Sequence, residues 1–110
     1  MMRARLTPAA SGLLRAILAR AGERRDRVFL SHVRSVDWQS LTFLGERHTL
    51  DLVFSGDAPD TLMHQTLDGI EEAEFDIRGH LVADITVGCE PLAREDGSLC
   101  VTLEALTVAA

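Results

Sequence analysis

The sequence predicts an α+β fold, a two-layer sandwich in which two helices cover one face of an antiparallel sheet of four to five strands, in the order α-β(2-3)-α-β-β. Three observations carry this. Two segments space their apolar residues at helical intervals and are bracketed by Thr or Asp, Pro and Gly. Several other segments alternate apolar and polar residues with period two, the pattern of strands with one buried face. The chain has 110 residues, 46% hydrophobic and 25% charged, which suits one domain over residues 1–110 with a radius of gyration of roughly 13 Å.

The first helix is read from "TPAASGLLRAILARAG". Ala10, Leu13, Leu14, Ile17, Leu18 and Ala21 recur at i, i+3, i+4, i+7, so residues 8–21 have one apolar side. Thr7 can cap, Pro8 suits the first turn and Gly22 the stop. Residues 1–6 ahead of it are expected to be disordered. "VFLSHVR" follows as a short strand with mixed alternation, so that both of its faces are partly covered.

In "DWQSLTFLGERHTLDLVFSG" the apolar parity shifts: Leu41 and Phe43 are odd, Leu50, Leu52 and Phe54 even. One regular strand would send the two sets to opposite faces. A two-residue turn at Gly45-Glu46 restores a common face, with Phe43 opposite His48 and Leu41 opposite Leu50. The competing account is a bulge at Gly45 within one long bent strand. "SGDAPDTLMHQTLDGI" predicts a second helix near 58–68, capped by Asp57 and stopped at Gly69, with Leu62, Met63, Thr66, Leu67 and Ile70 on one side.

"EFDIRGHLVADITVGCE" then reads as one long strand. Phe75, Ile77, Leu81, Ala83, Ile85, Val87 and Cys89 hold the odd, buried positions, and the even ones are polar apart from Val82. Gly79 and Gly88 offer bends. The last strand, "SLCVTLEAL", keeps Leu99, Val101 and Leu103 odd, and a three-residue Glu95-Asp96-Gly97 loop with Gly97 left-handed matches its face to its neighbour's. Cys89 points into the core and Cys100 away from it, so no disulfide joins them.

All eleven basic residues are arginine, and Lys, Asn and Tyr are absent. That is the mark of GC-rich coding, and a bacterial source is expected rather than selection for guanidinium chemistry. Residues 1–34 carry eight arginines against Glu23 and Asp26, whereas 35–110 carry three against fifteen acids. Arg15 interrupts the short apolar run near the start, so the opening is not read as a signal peptide. No stretch reaches the ~18 apolar residues of a membrane span. Free thiols in a cytoplasmic protein are the expectation for the two cysteines.

Chemistry is sparsely signalled. Histidines stand at 32, 48, 64 and 80 without shared neighbours, and nothing resembles HExxH, CxxC, GxSxG or a phosphate loop. No metal or cofactor is expected. His48 and His80 are the candidate catalytic residues, and Arg47, His48, Arg78 and His80 the candidate ligand-binding ones. Arg47-His48 near a sheet end can form an anion or carboxylate pocket, or His48 can be a satisfied, half-buried histidine. His80 and Asp84 fall on one strand face but ~13 Å apart, too far to hydrogen-bond. Asp76, Arg78 and His80 form a charge ladder on that face.

Three functions are weighed. The leading one is a non-catalytic domain acting through protein association, first with a second copy as a homodimer, since two helices leave the other sheet face uncovered. The alternative is a small-molecule or anion-binding or enzymatic domain near Arg47, His48 and the His80 strand. The third is nucleic-acid binding through Arg15, Arg20, Arg24, Arg25, Arg27 and Arg34, against which stand the scarcity of stacking aromatics and an overall net charge of −6.

Overall fold

Thr7 opens the first helix as the sequence requires. Its hydroxyl accepts from the Ala10 N–H at 3.1 Å, and Pro8 follows at the first turn. The computed structural model describes residues 6–88 and 90–110. Its elements are α1 (Pro8–Arg20), a 3-10 segment (Gly22–Arg27), β1 (Val28–Gln39), β2 (Leu44–Phe54), α2 (Pro59–Leu67), β3 (His80–Val87), β4 (Leu92–Ala93) and β5 (Leu99–Ala109), with a 3-10 turn at Ile70–Glu72. The expected disorder of residues 1–6 falls, Leu6 apart, outside the described residues. So do the inward placement of Cys89 and its relation to Cys100.

The sheet is antiparallel, in the order β1-β2-β5-β3, with the short β4 extending the β3 side of β5. β5 pairs antiparallel with both β2 and β3. β2 and β3 therefore run parallel, joined through α2, with β5 inserted between them. Even positions of β2 and odd positions of β5 share the helix-covered inner face: Leu50, Leu52, Phe54, Val101 and Leu103 join Leu13, Ile17 and Leu62 in one cluster. Both helices thus lie on one face, as predicted. The Cα radius of gyration is 14.0 Å.

α1 and α2 are tied to each other by Arg20. Its guanidinium donates to the carbonyls of Thr66 and Asp68, both at 2.6 Å, where the last turn of a helix leaves oxygens unpaired and the helix dipole favours a cation. Asp57 does not cap α2. The N-cap is Ala58, with no side-chain hydrogen bond.

Two bulges and two turns correct the strand assignments. β1 is longer than "VFLSHVR", and its register shifts between Leu30 and His32. Val28 and Leu30 before the shift and Val33 after it therefore all face inward, which is why the alternation looks mixed. The chain reverses at Ser40–Phe43, not at Gly45-Glu46, because Ser40 holds the turn: its N–H donates to the Phe43 carbonyl at 2.9 Å and its hydroxyl accepts from the Phe43 N–H at 3.1 Å. Gly45 is neither turn nor bulge. It pairs regularly with Trp38 and Val108, and a Cβ there would meet the Thr107 carbonyl oxygen and lie 3.1 Å from the Trp38 ring.

Nor is "EFDIRGHLVADITVGCE" one strand. The chain doubles back at Arg78-Gly79, where Ile77 bridges His80 and Gly79 takes φ +80°. A second register shift, between Val82 and Asp84, then exchanges the faces. His80 and Val82 belong to the inner side, Ile85 and Val87 replace them beyond the bulge, and Leu81 and Ala83 stand exposed instead of buried. The final hairpin is as predicted. Arg94 N–H donates to the Ser98 carbonyl across Glu95-Asp96-Gly97, and Gly97 has φ +88°.

Candidate functional site

Alternation along β2 sends Arg47 and His48 to opposite faces. His48 is 1% exposed. Its Nδ1 lies 2.7 Å from Ser35 Oγ on β1 and its Nε2 2.8 Å from Thr107 Oγ1 on β5. A neutral imidazole has one donor and one acceptor nitrogen, and a hydroxyl serves either, so both tautomers are fully satisfied. Glu46 Oε1 lies 4.0 Å from Nε2 and accepts from the Thr7 hydroxyl at 2.9 Å, linking this cluster to the N-cap of α1. Burial pushes the His48 pKa below its ordinary value. The Glu46 carboxylate pulls it partly back, and the nearby His80 lowers it further.

His80 reaches the same end of the inner face, where it lines a cavity of about 150 Å³ with Glu46 and Thr107. Two candidate residues, His48 and His80, are thus brought near each other. Arg47 is exposed on the opposite face, and Arg78 is exposed in the turn before β3. His80 and Asp84 sit on opposite faces, which corrects their expected common face and dissolves the ladder of Asp76, Arg78 and His80. His48 is buried more deeply than a half-buried residue and faces Ser35, not Phe43. Its side chain is closed to solvent and acts as an inter-strand tie. Among the described residues no set of three or more His, Cys, Asp or Glu groups is arranged to hold a metal.

Among the described residues no helix covers the outer face of the sheet. Read across β1, β2, β5 and β3, one row is Trp38, Gly45, Val108 and Leu81, the next Val36, Arg47, Leu106 and Asp84, and the next Arg34, Thr49, Glu104 and Thr86. The first row is apolar. Trp38, Val108 and Leu81 of that row, with Phe43 from the β1–β2 turn and with Leu106, line a depression of about 510 Å³. Phe43 is 53% exposed, Leu81 60% and Val36 45%. Beside it Arg47, Thr49, Asp84, Thr86 and Glu104 border a polar cleft of about 220 Å³. Among the described residues Arg34, Arg47, Asp84 and Glu104 make no ion pair within the chain.

Of the arginines considered for nucleic-acid contact, three are accounted for otherwise or stand apart. Arg20 is spent on the α2 carbonyls, Arg24 donates to Gln65 Oε1 at 2.7 Å, and Arg34 lies on the open sheet face away from Arg15 on α1. No helix among the described residues is long and apolar enough to cross a membrane. Comparison with protein-family models, with curated proteins and with solved structures finds no match.

Sequence reasoning missed Ser35 and Thr107 as partners of His48, and Trp38, Leu106 and Val108 as a surface. A signal existed for the latter. In "EALTVAA" apolar residues occupy both parities, which is what a strand covered on both faces requires.

Proposed function

We propose that this is a non-catalytic domain of the bacterial cytoplasm that works through protein association, its first partner being a second copy of itself, bound through the open sheet face. The observation that carries this is an apolar depression of about 510 Å³ formed by exposed Phe43 and Leu81 with half-buried Trp38 and Leu106 around buried Val108. Contiguous exposed apolar surface of this kind marks an interaction site on a soluble domain. Four strands ~4.8 Å apart and about 30 Å long make a face on the order of 600 Å² before side-chain relief, close to the ~800 Å² per partner of a standard interface. Packing two such faces as a β-sandwich is an ordinary way to cover them.

Sedimentation equilibrium over a wide concentration range tests the reading. The expected result is a dimer for the wild-type chain and a monomer of unchanged fold for Leu106→Asp, which puts a charge in the middle of the apolar area. A wild-type chain that stays monomeric at high concentration overturns it.

A further inference from the structure

Charge on the open face is sorted from side to side. The exposed arginines, Arg34 and Arg47, lie on β1 and β2, and the exposed acids, Asp84 and Glu104, on β3 and β5; Asp51, also on this face of β2, is half-buried and accepts from the Thr102 hydroxyl at 2.7 Å. The four exposed charges also alternate within their rows. Over two rows β1 and β2 present Val36 and Arg47, then Arg34 and Thr49, while β5 and β3 present Leu106 and Asp84, then Glu104 and Thr86.

Resting on the self-association reading above, we infer that the two copies meet about a two-fold axis running along the strands, β1 over the partner's β3 and β2 over its β5. A rotation about that axis reverses the lateral order of strands and keeps the rows in place. Each arginine then stands over an uncharged residue, Arg47 over Leu106 and Arg34 over Thr86 of the second copy. Asp84 and Glu104 of that copy occupy the two adjoining corners. The charges interlock as a checkerboard, twice by symmetry, and the apolar row covers its own equivalent: Trp38 faces Leu81 of the second copy, and Gly45 faces its Val108. The ~30° rotation between packed sheets shifts these contacts without changing their signs.

A two-fold axis across the strands does the opposite. It places β1 over β1, so Arg34 meets Arg34 and Glu104 meets Glu104 near the axis, and like charges face one another. Charge therefore selects the first arrangement.

The test uses three full-length variants. One is Arg34→Glu with Arg47→Glu, one is Asp84→Arg with Glu104→Arg, and one combines all four. Each double variant makes the exposed charge of its face single-signed and is expected to weaken its own dimer at least about tenfold. The quadruple variant restores the alternation with signs exchanged, and it is expected to dimerise within about threefold of wild type. Native mass spectrometry of wild type mixed with the quadruple variant should give no mixed dimer, because arginines then face arginines.

Doubles that dimerise like wild type, or mixed dimers in the last experiment, overturn the inferred axis and leave the association reading standing. A wild-type monomer overturns the association reading itself. Melting curves of all three variants check that the exposed substitutions leave the fold intact.

Discussion

Arg47 and His48 are neighbours in sequence, yet they belong to two regions with little in common. His48 is sealed among Ser35, Thr107 and Glu46 beneath α1, every polar atom answered within the chain. Arg47 stands in the open beside Leu106, with Glu104 and Asp84 one and two strands away and no ion pair of its own among the described residues. Around His48 the inner face is closed by groups of the same chain. The outer face carries apolar area and unpaired charge together, the combination that another surface can satisfy. A conspicuous residue type thus says little about its surroundings here: the histidine that draws attention in the sequence is answered within the fold, and the neighbouring arginine stands on the face through which we propose that the chain associates.

The sharpest way to break this comparison is to truncate a leucine on each face. Leu50, fully buried on the inner face, should lose roughly 2–5 kcal/mol of stability as Leu50→Ala. Leu106→Ala, half-buried on the outer face, should cost less than about 1 kcal/mol in dilute monomer. Urea unfolding of both measures the difference, and equal losses would mean that the outer face is core.

A smaller effect should come from His48 and pH. Its folded pKa is lowered below the roughly 6.5 of an unfolded histidine, so between the two values the unfolded chain binds the extra proton. Stability is then fully present above about pH 6.5 and declines as pH falls toward the folded pKa, by at most about 1.4 kcal/mol per pH unit from this group. His48→Gln should flatten that slope in denaturation curves taken from pH 7 to 5. An unchanged slope would assign the titration elsewhere.

The smallest effect concerns the turn that breaks the long polar run. Gly79→Ala forces a left-handed residue with nothing nearby to clash, and should cost about 1 kcal/mol. A neutral or stabilising result in thermal melts would show that the turn can rearrange, and with it the face to which His80 belongs.

Much of the architecture was legible without coordinates. The i, i+3, i+4, i+7 spacing of Ala10, Leu13, Leu14 and Ile17 marked out α1, the odd-position pattern of Val101 and Leu103 marked out β5, and Glu95-Asp96-Gly97 its hairpin. Each depends on local periodicity or on a glycine with one role. The errors occurred where periodicity was interrupted. Gly45 looks like a turn because glycine answers several local demands, and its actual one, close approach of the Thr107 carbonyl and the Trp38 ring, comes from strands distant in sequence. Leu81 and Ala83 looked buried because a bulge of one residue exchanges every face beyond it.

By itself, then, the sequence determined the fold class, the two helices with their apolar sides, and the positions of most core residues, since these follow from side-chain periods of 3.6 and 2. Tertiary structure alone decided that β5 enters between β2 and β3, that Ser35 and Thr107 close over His48, and that Arg34 and Arg47 are arrayed beside Glu104 and Asp84. Those facts depend on which strands pair and in what register. Pairing is fixed by the burial of the whole sheet against α1 and α2, and no local stretch of the chain records it.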